Sequence, residues 1–257
     1  MLPLQSAMAA GTTIFVYMTL LFVWAAILKN NSIVDIGWGL GFILVVWTLF
    51  LFRPGVWPGK ILTAIWVTLW GFRLSLHIFM RNRGKGEDFR YAAWRREWKR
   101  FFYLRSYFQI FMLQGMLMLV ISLSPIILFS GMPRPFGWFE AAGSTLFAAG
   151  FLFETTADLQ LRRFVADPRN RGGLMTSGLW ALTRHPNYFG EAVLWWGLFL
   201  IAAPSACGWV AVLSPLTITL LVRFVSGVPL LEKKYAGRPD FEAYKRRVPV
   251  FVPFTRP

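Results

Sequence analysis

Between Arg184 and Glu191 the sequence reads RHPNYFGE, placing an arginine, a histidine, an asparagine, a tyrosine and a carboxylate directly before the apolar run AVLWWGLFLIAA. Ionisable groups at the depth of a hydrocarbon layer are costly and face a cavity or a partner. Pro186 suits the first turn of a helix, with His185 near its cap. Asn187 and Glu191 then stand at i and i+4 on one helix face. An amide and a carboxylate so placed can hold a ribose or a nicotinamide amide, while loop arginines such as Arg184 grip phosphates bidentately. Helix capping plus one buried salt bridge is the simpler account, but capping needs one polar residue and the stretch supplies five.

Other groups repeat the pattern. Glu154, Asp158 and Arg162 fall at i, i+4 and i+8, and Arg73 and His77 at i and i+4. Pairing of Glu154 or Asp158 with Arg162 at a helix end explains that trio equally well when it is taken alone. Together with Asp35, Glu191 and Arg223, however, these groups suit a shared polar cavity. Metal binding is poorly served, because His77 and His185 lie on different segments and lack a companion at metal-ligand spacing. The single Cys207 excludes an internal disulfide and a cysteine metal cluster. No G-x-S-x-G, P-loop or G-x-G-x-x-G motif is present, so a dinucleotide would bind without a Rossmann fold.

The elements that must position these residues are apolar. The 257 residues are 56% hydrophobic and 18% aromatic, with a mean hydropathy of +0.51. Runs near 8–28, 33–52, 60–80, 107–130, 137–157, 188–206 and 208–227 predict an all-α polytopic membrane protein of seven transmembrane helices. The first run is long and lacks a small-residue cleavage site, which argues against a signal peptide. Lysine and arginine concentrate in 81–105, 162–184 and 233–256, which predicts a cytoplasmic C-terminus and an N-terminus outside. Residues 1–257 read as one integral membrane domain, with loops 81–106 and 159–187 and tail 228–257 forming a cytoplasmic cofactor face. The net charge of +15 is explained by topology and anionic lipid headgroups rather than by nucleic acid. Its local excess leaves room for an anionic cofactor. Residues 81–90 read as a loop, and from Tyr91 an interfacial amphipathic helix should set Trp94, Trp98, Phe101 and Phe102 on one face. Pro133, Pro135 and Gly137 mark a turn, after which one helix should run from LFAAGFLF into ETTADLQLRRF.

SGLWALTRHPNYFGE, together with DIGWGLGF, RNRGKGEDFRY, ADLQLRRF and FEAYKRRVPVFVPF, resembles the steroid 5-alpha-reductase-like membrane enzymes, and most nearly the bacterial branch labelled DUF1295. The likeness runs from the second span to the C-terminus. It implies a seven-helix reductase of the bacterial inner membrane that binds NADPH from the cytoplasm and reduces the enone C=C bond of a lipid-soluble substrate. By resemblance, Asn187 and Glu191 contact the nicotinamide half, with Arg184, His185 and Tyr188 beside them. Asp158, Arg162 and Arg163 belong to the end of the fifth helix, and Arg73 to the third. Asn82, Arg83 and Lys85 match a phosphate-binding segment, and Tyr244 and Arg246 complete the cofactor set in the tail. Trp70 stands where the steroid enzymes carry a tyrosine acid, so Asp35, His77 or a loop tyrosine, Tyr91, must polarise the carbonyl.

Two other readings compete. The isoprenylcysteine and phospholipid methyltransferases share R-H-P-x-Y and a following glutamate but bind S-adenosylmethionine, which needs fewer arginines than a dinucleotide phosphate. A transporter would suit the buried charges, yet neither inverted repeats nor matching broken helices are found.

Overall fold

The computed structural model describes residues 3–255, and their regular structure is helical, with no strand among the described residues. Helices α1 (Pro3–Leu28), α2 (Ile33–Phe52) and α3 (Pro58–Asn82) are continuous. Lys29, at φ 51, ends the first of them, and Pro58 pre-sets the first turn of the third. The next stretch is bent: α4 (Phe89–Trp98), a 3-10 turn at Lys99–Phe101, α5 (Phe102–Ser106), a π segment at Tyr107–Met112, α6 (Leu113–Ile121) and α7 (Leu123–Ser130). There follow α8 (Trp138–Ala166), α9 (Pro186–Ala202), α10 (Leu213–Leu220), a π segment at Leu221–Val225, α11 (Val228–Lys233) and α12 (Pro239–Lys245).

Five stretches are long and apolar enough to cross a membrane: Leu4–Leu28, Ile33–Phe52, Pro58–Asn82, Phe89–Ile121 and Gly208–Lys233. The chain is therefore an all-α integral membrane protein, in which helices satisfy the backbone where water is absent. The fourth stretch differs from the expected 107–130, starting earlier and stopping at Ile121, where Ser122 interrupts the helix. The expected fifth and sixth spans correspond to α8 and α9. The first has 29 residues but carries Glu154, Asp158, Arg162 and Arg163, and the second has 17 residues, against about 20 for a full crossing.

The chain divides into two compact units, Met1–Glu140 with Ile201–Leu213, and Ala141–Leu200 with Ser214–Pro257. In the first, α2 and α3 meet at Gly39 and Gly71, where a Cβ on Gly71 would lie 2.5 Å from the Gly39 carbonyl oxygen. Phe42 and Trp70 pack edge to face across that seam, 5.5 Å between centroids. Trp94 stacks on Trp98 at 5.3 Å, and Phe102 follows Trp98 at 6.1 Å. Phe101 departs from the expected shared face: it is 48% exposed against 3% for Phe102. The cause is Lys99, whose φ of 46 breaks the helical rotation just before it.

In the second unit α8 runs unbroken through the polar end, as expected, and α9 begins at Pro186. Phe147, Leu194, Trp195 and Leu198 are fully buried. The tail adds a small core of Phe241, Tyr244 and Val248, against which Leu174 and Tyr235 pack.

Candidate functional site

Within the second unit, α8 and α9 approach to backbone contact. A Cβ on Gly150 would lie 2.6 Å from the Gly190 carbonyl oxygen and the Leu194 nitrogen, and one on Gly190 would lie 2.6 Å from the Glu154 nitrogen. Gly197 repeats this against Gly143 and Phe147. Only glycine permits such closeness, the small-residue packing of membrane helices.

This crossing brings Glu154 and Asp158 alongside Asn187 and Glu191, and the three carboxylates are only 3%, 7% and 8% exposed. Asn187 Nδ2 donates to Asp158 Oδ1 at 3.1 Å, which orients the amide. Its Oδ1 is consequently turned away, buried, and accepts from no described residue. A buried acceptor without a donor costs roughly 1–3 kcal/mol, so this oxygen suits the N–H of a ligand.

At the head of α9 the arrangement is different. Arg184 Nε donates to Glu232 Oε1 at 2.8 Å, and its Nη1 donates to the carbonyls of Val248 at 2.8 Å and Lys245 at 3.3 Å. Its backbone N–H donates to Pro249 at 2.9 Å, and Thr183 Oγ1 to Phe251 at 2.8 Å. The Tyr244 hydroxyl donates to the Trp180 carbonyl. Arg184 and Tyr244 therefore fasten the tail to the loop before α9, while Arg246 is exposed. The loop is in turn tied to α8, where Gln160 Oε1 accepts from the Leu179 nitrogen at 3.0 Å and Trp180 Nε1 donates to the Ala157 carbonyl at 3.2 Å.

His185, buried and stacked on Tyr188 at 5.8 Å, places Nε2 3.1 Å from Glu232 Oε1. A carboxylate only accepts, so Nε2 carries the hydrogen. Burial lowers the His185 pKa despite the opposing pull of Glu232. The ring is thus neutral, and Nδ1 presents a buried lone pair that no described residue meets. Glu232 organises this corner and escaped the sequence reading; its only signal is an acid standing alone in LLEKKY.

The remaining candidates belong to the first unit. Asp35 accepts from the buried Tyr91 hydroxyl at 2.7 Å and from Arg90 Nη2 at 3.1 Å. Two candidate acids 56 residues apart are thereby brought together. Arg90 also pairs with Asp88 at 2.9 Å. Asp88 is held below the usual carboxylate range, since Arg90 outweighs the opposing effect of burial. Glu87 takes both nitrogens of Arg95 at 2.8 Å and the Asn31 N–H at 2.8 Å, anchoring the loop to the start of α2. Arg73 and His77 are half-buried on α3. Asn82 Oδ1 accepts from Arg81 Nε at 3.2 Å, and Arg83 and Lys85 are exposed around Gly84. In the second unit Arg162 and Arg163 are likewise exposed. No group of three or more metal-ligating side chains is gathered among the described residues.

Residues 21–248 match the model of a family described as protein of unknown function, DUF1295. An uncharacterized protein of Schizosaccharomyces pombe is 29% identical over 213 residues, covering 72% of this chain and 61% of its own length. A probable O-methyltransferase of Ustilaginoidea virens is 37% identical over 68 residues, covering 26% of this chain and 24% of its own. The chain thus spans less than two thirds of either relative. Both are fungal, so they lend no support to a bacterial placing. No solved structure matches the chain.

Proposed function

We propose that this chain, which belongs to the DUF1295 family, is an NADPH-dependent membrane reductase acting on the carbon–carbon double bond of an enone in a lipophilic substrate. The observation that carries the reading is the buried Asn187 carbonyl oxygen, oriented by Asp158 and lacking a donor among the described residues. A nicotinamide carboxamide supplies the matching N–H. Asp158 and Glu191 are acceptors suited to ribose hydroxyls, and the exposed Arg162 and Arg163 suit phosphates, with Asn82, Arg83 and Lys85 as further candidates. Arg184 takes a structural role in this scheme, because Glu232 and the tail already engage its guanidinium.

When bound, the cofactor supplies a hydride. The protein's part is to hold a proton for the substrate oxygen. Trp70 is fully buried against Phe42 and its indole is no acid. The Tyr91 hydroxyl, hydrogen-bonded to Asp35, is the donor we favour, with Arg90 stabilising the carboxylate behind it; His77 is the alternative. Seven spans, with α8 and α9 as the fifth and sixth, an outside N-terminus and a cytoplasmic C-terminus complete the proposal.

The likeness to a probable O-methyltransferase over 26% of the chain favours a second reading, an S-adenosylmethionine-dependent methyltransferase. Thermal-shift titration of the purified protein with NADPH, NADH and S-adenosylmethionine separates the two. Selective stabilisation by NADPH is expected, and stabilisation by S-adenosylmethionine alone would replace the reductase with the methyltransferase.

A further inference from the structure

We propose that the bend between α4 and α6 seats the headgroup of a zwitterionic phospholipid, with its phosphate on Arg105 and its ammonium on Glu97 and the Trp94 face. The proposal stands apart from the cofactor reading. A cleft of about 700 Å³ opens there, lined by Trp94, Glu97, Trp98, Arg105, Phe108 and Leu113, with Gln109 alongside. Its concavity has a local cause: the positive φ of Lys99 turns the chain after α4, and the π segment Tyr107–Met112 offsets the helix that follows.

The lining carries one charge of each sign. Neither Glu97 nor Arg105 forms an ion pair among the described residues, and the two are not bridged to each other. Arg105 instead lies 5.8 Å from the Trp98 ring, which is itself stacked on Trp94 at an interplanar angle of 6°. A separated carboxylate and guanidinium with indoles between them complement a group bearing phosphate and ammonium together. The guanidinium suits the phosphate oxygens, and the carboxylate and an indole face suit the ammonium. A purely anionic headgroup would meet Glu97 as a repulsive neighbour.

The surroundings point to a lipid rather than to a free solute. Phe108 and Leu113, below the charges, are 58% and 50% exposed, and both belong to Phe89–Ile121, one of the stretches apolar enough to cross a membrane. Acyl chains can continue along these side chains while the headgroup stays among the polar ones. Indoles at such a boundary also favour the headgroup level.

The test is native mass spectrometry of the full-length protein released from micelles holding equal amounts of phosphatidylethanolamine and phosphatidylglycerol. The wild type should retain the ethanolamine lipid about fivefold in preference, a factor of the size an exposed ion pair supplies. Glu97→Gln should abolish that preference while leaving phosphatidylglycerol retention intact, and Arg105→Gln should lower retention of both. Both side chains are exposed, and the wild-type ratio is informative without any variant. Equal or greater wild-type retention of phosphatidylglycerol, or an unchanged ratio in Glu97→Gln, would overturn the proposal.

Discussion

Gly190→Ala perturbs the crossing that assembles the acidic cluster without touching a polar group. The new Cβ would lie 2.6 Å from the Glu154 nitrogen, 2.7 Å from the Gly150 carbonyl oxygen and 2.9 Å from the Glu154 Cα. All three are backbone atoms, so no side chain can rotate away. Restoring ordinary contact near 3.5 Å requires α8 and α9 to part by about 1 Å. Overpacking of this kind costs about 1–3 kcal/mol, or a fall in melting temperature of roughly 2–12 °C for a chain of this size. The shift also moves Glu154 and Asp158 relative to Asn187, and a displacement near 1 Å in a positioned site costs on the order of a hundredfold in rate. The assay pairs detergent melting with NADPH affinity, and Gly11→Ala is the control, since nothing lies within 4 Å of its added Cβ. The reasoning is refuted if Gly190→Ala melts and binds cofactor as Gly11→Ala does.

Other substitutions probe the remaining parts. Arg184→Ala leaves Glu232 and the carbonyls of Lys245 and Val248 without their donor; we expect a loss of about 2–4 kcal/mol and faster tryptic cleavage at Arg246 and Arg247. His185 has a folded pKa below its unfolded value, so the unfolded chain binds more protons under acid. Stability should be full above about pH 6.5 and decline as the pH falls below it, and His185→Gln should flatten that part of a melting-temperature profile. Tyr91→Phe removes a hydrogen bond to Asp35 and should lower enone turnover by about 10²–10⁴-fold with NADPH affinity unchanged.

Local signals were legible and long-range pairings were not. Pro186 and the apolar run behind it define the start of α9, and the uninterrupted helical pattern through Glu154 and Asp158 predicts the emergence of α8. Spacing alone placed Asn187 and Glu191 on one face. It could not show that Asp158 would take the Asn187 amide from 29 residues away, because that depends on glycines in two helices meeting. Arg184 read as a phosphate ligand for the same reason: its partners Glu232, Lys245 and Val248 lie far along the chain. The misplaced Phe101 and the early end of the fourth membrane stretch have a different origin. Helical periodicity assumes regular rotation, and Lys99, the π segment at Tyr107–Met112 and the break at Ser122 each interrupt it. Residues of unremarkable type, with no proline or glycine to mark them, make those interruptions.

The Asn187 carbonyl oxygen is tested most directly by comparing NADPH with its 3-acetylpyridine analogue, in which a methyl group replaces the carboxamide nitrogen. If this oxygen accepts the carboxamide N–H, the wild-type protein binds the analogue about tenfold more weakly, within the roughly 1–3 kcal/mol cost of an unmet buried acceptor. Asn187→Ala should then bind the two with nearly equal affinity. An affinity ratio that is the same in the wild type and in Asn187→Ala would contradict the account.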